Sequence, residues 1–280
     1  MPELFPFQKE GVAFALEREA SLIADGMGLG KTAQAVGVIN EDASIRRVLV
    51  VCPASVRIPW QRELDQWLNR SFTIAVVGVN CQKPLSGDGI TIINYDRLAR
   101  FENALGAYDL AVLDECHYIK TPSSRRTLAA FKIRARRRVA LSGTPLLSRP
   151  IELYSILHWL DPQRWPAGGY FRFGMRYCAA KHNGFGWDLS GASNLPELSA
   201  LLRSTAMIRR TKAEVLPQLP PKIRTVIEVQ PAGGMQRILR QEMDLYRARY
   251  LRVDSGSINR EYLSRVRHQT ALAKVPLVVD

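Results

Sequence analysis

A glycine-rich loop between an apolar run and a helix constrains this chain more than any other feature. Ser21-Leu22-Ile23 leads into Ala24-Asp25-Gly26-Met27-Gly28-Leu29-Gly30-Lys31-Thr32, and Ala33 to Asn40 then reads as a helix. Strand, loop and helix in that order make a phosphate cradle. Glycines let successive N–H groups turn towards one anion, and the helix N-terminus adds partial positive charge. In such a cradle Lys31 reaches the β- and γ-phosphates of a nucleotide, and Thr32 offers its hydroxyl to Mg²⁺. The strict G-x-x-x-x-G-K-T pattern is not met, because Asp25 stands at its first glycine. The plain alternative is a glycine-rich turn before an ordinary helix, and Gly30-Lys31-Thr32 after an apolar run weighs against it.

A phosphate cradle needs an acidic partner, and the chain supplies one. Asp109-Leu110-Ala111-Val112-Leu113 reads as a buried strand and ends in Asp114-Glu115-Cys116-His117. Ligands of α/β sheets gather at the carboxyl ends of strands, which is where both this tetrad and the loop belong. Asp114 is placed to hold Mg²⁺ through water, and Glu115 to orient and deprotonate an attacking water. Adjacent acids after a strand are, on their own, more often a solvated helix cap; beside Lys31 and Thr32 they read as catalytic.

The remaining pattern fits this setting. Apolar runs at 48–52, 73–77, 90–93, 110–113 and 139–141 do not alternate with polar residues, so they read as parallel strands covered on both faces. Helix-like segments lie between most of them, notably Gln8 to Glu19 and Ser55 to Leu68, and Thr121-Pro122 reads as the N-cap and first residue of a further helix. Strand and helix in alternation give an α/β class: a doubly wound parallel-sheet lobe. From Asp161 the chain becomes loop-rich and aromatic, through Trp165, Tyr170, Phe185 and Trp187. Such aromatics either stack on bases or anchor a subdomain on its neighbour, and anchoring is the preferred reading. A short strand is expected at Ile223 to Val229, then a basic helical stretch from Gln236 to Val253 with a break at Asp254-Ser255-Gly256-Ser257.

With these motifs in place, the chain resembles a known family. Asp114-Glu115-Cys116-His117 is similar to motif II of superfamily-two helicases, and Asp25 to Thr32 resembles motif I of Swi/Snf-type DNA translocases. Leu4-Phe5-Pro6-Phe7-Gln8 resembles their adenine-reading element. Val50 to Ser55 with Trp60 and Glu63 resembles motif Ia, Ile93-Asn94-Tyr95-Asp96 motif Ib, and Leu141-Ser142-Gly143-Thr144-Pro145 motif III. Ser148-Arg149-Pro150, Ile208-Arg209-Arg210-Thr211-Lys212 and Leu219-Pro220-Pro221-Lys222 resemble the annealing-helicase branch. The resemblance implies a RecA-like fold over 1–230, with 161–222 a loop-rich family-specific region and 231–280 a basic helical linker towards a second lobe. It also implies ATP and Mg²⁺ as ligands: ATP on Gln8, Asp25, Gly26, Met27, Gly28, Leu29, Gly30, Lys31 and Thr32, the metal at Thr32 and Asp114, and chemistry at Lys31, Asp114 and Glu115. His117, Ser142 and Thr144 would couple nucleotide state to DNA contacts at Ser55, Asn94 and Tyr95. One departure stands out: this motif I commonly has Glu where the chain has Gly26, which loosens the loop and removes a negative charge beside the nucleotide.

Charge points to the partner. The chain carries 39 Lys+Arg against 26 Asp+Glu, a net +13, which for a nucleotide-hydrolysing protein suggests nucleic acid, most simply duplex or forked DNA. No acid occurs from Cys116 through Ile151, and Arg136, Arg137 and Arg138 in that run are expected to contact phosphate; a solvated basic helix face is the alternative. Hydrophobic residues at 46% exclude a disordered chain, and no apolar run reaches the ~18 residues of a membrane helix. Four cysteines without a C-x-x-C pair suggest free thiols in a reducing, intracellular compartment. The second lobe, with its arginine finger, is expected to lie outside Met1 to Asp280, in cis or in trans. Two rivals remain open: a small-molecule phosphate-loop kinase, and a non-enzymatic module that binds ATP and DNA to regulate a partner.

Overall fold

Successive residues of the central strands face opposite cores, and this organises the molecule. Val48, Val50 and Cys52 pack into one apolar cluster with Ile23, Val112 and Val139, while Leu49 and Val51 pack into another with Leu22, Leu113 and Ala140. A strand buried on both faces has no reason to alternate polar and apolar residues, which is why these runs read as continuous apolar stretches. The computed structural model describes residues 2–101, 105–144 and 149–218, together with 236–237, 240–244 and 260–274. By contacts the chain divides into two compact units, Met1–Leu219 and Pro220–Asp280.

The first unit is built on seven parallel strands: β1 (Ala20–Ile23), β2 (Arg47–Cys52), β3 (Ile74–Val76), β4 (Gly89–Asn94), β5 (Ala107–Leu113), β6 (Arg134–Leu141) and β9 (Met207–Ile208). A small antiparallel pair, β7 (Lys181–His182) and β8 (Trp187–Asp188), stands apart from this sheet. Across the sheet the order is β3-β4-β2-β5-β6-β1-β9. Ile23 lies level with Leu141, and Leu113 with Ala140, so the loops leaving β1, β6 and β5 start at one height on one edge. The helices are α1 (Pro6–Leu16), α2 (Lys31–Glu41), α3 (Arg57–Trp67), α4 (Tyr95–Leu98), α5 (Arg125–Phe131), α6 (Leu153–Leu160), α7 (Tyr170–Tyr177), α8 (Leu195–Thr205) and α9 (Lys212–Val215). The doubly wound parallel lobe expected from the sequence is the observed architecture.

Two local readings are corrected. Thr121-Pro122 does not open a helix: Ser124 N–H donates to the Thr121 carbonyl (3.1 Å) and closes a turn, and Ser124 Oγ caps α5 by accepting from Thr127 N–H (3.4 Å). Arg134 to Arg138 form the first half of β6, not a helix face. The aromatic region divides. Tyr154, Trp165, Tyr170, Phe173 and Tyr177 make an edge-to-face cluster that fixes α7 to the lobe, which is the anchoring role, whereas Phe185 and Trp187 at the β7–β8 hairpin are exposed.

In the second unit, α10 (Arg260–Lys274) is a helix, and the described residues 236–237 and 240–244 are helical. The expected strand at 223–229, the break at 254–257, Pro145, Ser148 and the 219–222 motif lie outside the described residues. Among the described residues no helix is long and apolar enough to cross a membrane.

Candidate nucleotide site

The loop after β1 holds the geometry that its glycines allow. Gly28 (φ 77°) and Gly30 (φ 69°) adopt left-handed backbone, and Gly30 is the N-cap of α2. Lys31 folds back over the loop, donating from Nζ to the carbonyls of Asp25 (3.0 Å) and Gly26 (3.2 Å). Burial lowers the Lys31 ammonium from its ordinary value, against the carboxylates of Glu115, Asp25 and Asp114, which raise it. The lysine of β1–α2 and the acids after β5 therefore share one electrostatic site. Motif III closes on the same place: a Cβ on Gly143 would lie 2.8 Å from Met27 Cγ and 3.4 Å from Lys31 Nζ. Next to it Ser142 is fully buried, with its N–H donating to the Ile23 carbonyl (3.2 Å) and its Oγ accepting from Thr144 N–H (3.2 Å).

Asp25, the residue that breaks the glycine pattern, turns away from the loop. Its carboxylate is fully buried and is gripped by Arg210, whose backbone N–H and Nε donate to Oδ1 (both 3.0 Å) and whose Nη2 donates to Oδ2 (2.6 Å). Gln34 Nε2 also donates to Oδ2 (3.0 Å), while Gln34 Oε1 accepts from Arg210 Nη2 (3.0 Å). Arg210 further donates to the Phe7 carbonyl and lies over the Phe7 ring at 5.5 Å. A Cβ on Gly11 would stand 1.9 Å from Gln34 Oε1, so α1 approaches this network only because Gly11 has no side chain. Gln8 completes the seam: its Oε1 accepts from Phe5 N–H (2.9 Å) and its Nε2 donates to the Leu29 carbonyl (3.2 Å). Gly26 is not loose either, since its N–H donates to the Arg210 carbonyl (2.9 Å). Sequence reading gave Arg210, Gln34 and Gly11 no role in the site. The mid-helix Gly11, and an acid at the first glycine position of the loop, were the available signals.

Across from the loop, Asp114 accepts from Trp60 Nε1 (2.8 Å, Oδ2) and from Glu115 N–H (2.9 Å, Oδ1). Burial raises its pKa, partly offset by those hydrogen bonds. Glu115 sits in left-handed backbone (φ 48°), an uncommon conformation for a non-glycine residue and one found at functional turns. His117 Nδ1 lies 3.2 Å from Glu115 Oε2, near enough to pair when the ring is protonated. Cys52 and Cys116 are buried and their thiols are pushed up by burial, so they pack rather than react. Among the described residues no cluster of three or more His, Cys, Asp or Glu could hold a metal. Mg²⁺ in phosphate-loop sites takes one or two protein ligands, with phosphate and water for the rest, and Thr32 with Asp114 fits that sparse donor set.

The expected DNA residues fare differently. Ser55 is exposed in the turn after β2. Asn94 and Tyr95 are buried, and the Tyr95 hydroxyl donates to the Asp114 carbonyl (2.7 Å), so its side chain links motif Ib to motif II. Arg136, Arg137 and Arg138 are a correction as well. They lie on the opening half of β6, at the end of the sheet away from the loop. Arg137 Nη1 donates to the carbonyls of Ala15 (2.7 Å), Leu16 (3.1 Å) and Arg18, capping the C-terminus of α1. Arg138 Nη1 does the same for α6 through Trp159 (3.0 Å) and Leu160 (3.3 Å). Arg136 donates to Ser44 Oγ (2.6 Å) and Asp42 Oδ2 (3.3 Å). Carbonyls exposed at helix ends recruit cations, and that is where the charges of Arg137 and Arg138 are spent, whereas Arg136 stays exposed.

The family model of the SNF2-related domain matches residues 7–274. The chain belongs to the SNF2-related domain family. This SNF2-related chain is 41% identical over 238 residues to the SWI/SNF-related matrix-associated actin-dependent regulator of chromatin subfamily A-like protein 1 of Xenopus tropicalis, covering 82% of the chain and 25% of the relative. It is 35% identical to the human DNA annealing helicase and endonuclease ZRANB3 over 296 aligned positions, covering 99% of the chain and 27% of the relative. It thus spans about a quarter of the length of these curated relatives. In fold it is similar to the Sulfolobus solfataricus SWI2/SNF2 ATPase core in complex with dsDNA, with a TM-score of 0.65, 24% identity, and coverage of 97% of this chain and 58% of that one.

Proposed function

We propose that this SNF2-related chain is the ATP-binding first lobe of a DNA-dependent ATPase and translocase of the annealing-helicase branch. One observation carries the reading: the loop after β1, with Lys31, and the acids Asp114 and Glu115 after β5 leave one parallel sheet at the same edge, with Ile23 level with Leu141 and Leu113 with Ala140. That is the division of labour phosphoryl transfer needs, with a cation for the β/γ-phosphates, a metal-holding acid and a water-positioning acid. Lys31 Nζ lets go of its two loop carbonyls and donates to phosphate oxygens instead, and loop N–H groups between Met27 and Thr32 line the cradle. Thr32 and Asp114 would hold Mg²⁺, which would supply charge neutralisation at the phosphates. Glu115, with His117 beside it, orients the water. Gln8 reads the adenine edge. Duplex DNA is the partner, through sequence-blind phosphate contacts at Ser55 and at the cleft lined by His117, Tyr118, Lys120, Thr121, Ser124 and Arg126. The chain's free cysteines suit an intracellular home.

The first lobe alone is expected to bind ATP and hydrolyse it poorly, because an arginine from a second RecA-like lobe is worth ~10³–10⁵ in rate. The test is turnover with duplex DNA, with and without an added second-lobe polypeptide, for the chain and for Glu115→Gln. The expected result is slow turnover for the chain alone, little changed by Glu115→Gln, and a large Glu115 effect once the second lobe is present. DNA-independent turnover with a small-molecule acceptor would overturn the reading in favour of a kinase.

A further inference from the structure

We propose that Lys212 is a second phosphate-contacting lysine of this site, reaching the nucleotide from the segment that leads out of the lobe. The inference rests on the proposed ATP site and deepens it. Lys212 opens α9 directly after Arg210 and Thr211. Arg210 is immobilised by its Asp25 and Gln34 contacts, and Gly26 N–H is tied to the Arg210 carbonyl, so the chain is held against the phosphate loop up to two residues before the lysine. Thr211 is held in turn by its capping box with Glu214, whose Oε2 accepts from Thr211 N–H (2.5 Å). From that base the side chain extends across the loop: a Cβ on Gly28 would lie 3.2 Å from Lys212 Nζ and 3.5 Å from its Cε. Gly28, left-handed and without a side chain, leaves the loop backbone open beside that ammonium.

Among the described residues no carboxylate neutralises it. Asp25 is taken by Arg210, Glu10 faces the same guanidinium at 3.6 Å, and Glu214 is committed to the Thr211 cap. Among the described residues none forms an ion pair or hydrogen bond with Lys212 Nζ, and the residue is exposed. A cation held within reach of a loop whose N–H groups already favour an anion is positioned for a polyphosphate. Lys31 approaches from inside the loop and Lys212 from its outer rim, so a bound polyphosphate gains two point charges. The second of these opens α9, so nucleotide binding also restrains that helix.

Calorimetry of ATP, ADP and adenosine with the whole chain tests this, using wild type, Lys212→Gln, Lys212→Arg and Lys31→Ala. Because Lys212 is solvent-facing, its contribution is screened: Lys212→Gln is expected to weaken ATP and ADP about three- to tenfold and to leave adenosine unchanged. Lys212→Arg restores most of the loss, and the difference between wild type and Lys212→Gln shrinks as salt is raised. Unchanged ATP affinity in Lys212→Gln, with ATP weakened in Lys31→Ala, overturns the role of Lys212 and leaves the ATP site standing. Unchanged affinity in both variants overturns the site itself. Equal loss for ATP and adenosine in Lys212→Gln also overturns the proposal, since a phosphate contact cannot be felt by a ligand without phosphate.

Discussion

The pair Asp25–Arg210 is the part of this site most exposed to a decisive experiment. Asp25 has no accessible surface and the Arg210 side chain only 11%. Replacing Arg210 by Met keeps an apolar stem of similar length over Phe7 but leaves a buried carboxylate with only Gln34 Nε2 and the backbone N–H of residue 210 as donors. Breaking a buried, hydrogen-bonded ion pair from one side costs about 3–5 kcal/mol, mostly the desolvation of the charge left behind. A lobe of this size has a total stability of ~5–15 kcal/mol, and each kcal/mol moves its melting temperature by about 2–4 °C. Arg210→Met should therefore lower the midpoint by roughly 6–20 °C, and by a matching fall in urea midpoint with unchanged slope. Combining it with Asp25→Asn should recover part of the loss, because the stranded charge is gone; the coupling between the two sites should exceed ~1 kcal/mol. A loss below ~1 kcal/mol, typical of an exposed ion pair, would refute the account of Asp25 as an inward-facing anchor.

Other expectations follow from the same contacts. Arg137→Ala should cost about 2 kcal/mol in urea unfolding, from lost helix-capping bonds, and should leave the salt slope of DNA binding unchanged; a flatter slope would return this arginine to the DNA surface. Asp114 binds a proton more readily folded than unfolded, because burial raises its pKa, so its contribution to stability falls as pH rises from its ordinary value through the folded one. The stability of wild type relative to Asp114→Asn should accordingly improve as pH is lowered from neutrality through the carboxylate range, measured as paired urea midpoints. Cys52, Cys116 and Cys178 are buried, the last with a thiol pushed up to about 11, so an aromatic disulfide reagent should titrate Cys81 alone in the native protein and all four thiols in denaturant.

What the sequence by itself determined is what depends on neighbours along the chain. The cradle from Asp25 to Thr32 was legible because left-handed glycines, a following helix and a preceding strand are all set within a dozen residues. Asp114 and Glu115 were legible because an apolar run stops abruptly at two acids, and the parallel sheet because strands covered on both faces lose their alternation. Tertiary structure alone decided the partners. Asp25 meets an arginine 185 positions later because β9 pairs with β1, and no window of sequence encodes that adjacency. Asp114 meets Trp60 for the same kind of reason, through β2 and α3 lying beside β5. The basic run Arg136–Arg138 reads as a nucleic-acid surface from charge alone. The destination of Arg137 and Arg138 was set by two helices, α1 and α6, whose carboxyl ends arrive beside β6 with carbonyls in need of donors. Charge is a property of the residue, but the group it satisfies depends on which backbone ends the fold brings within 3 Å or so of it.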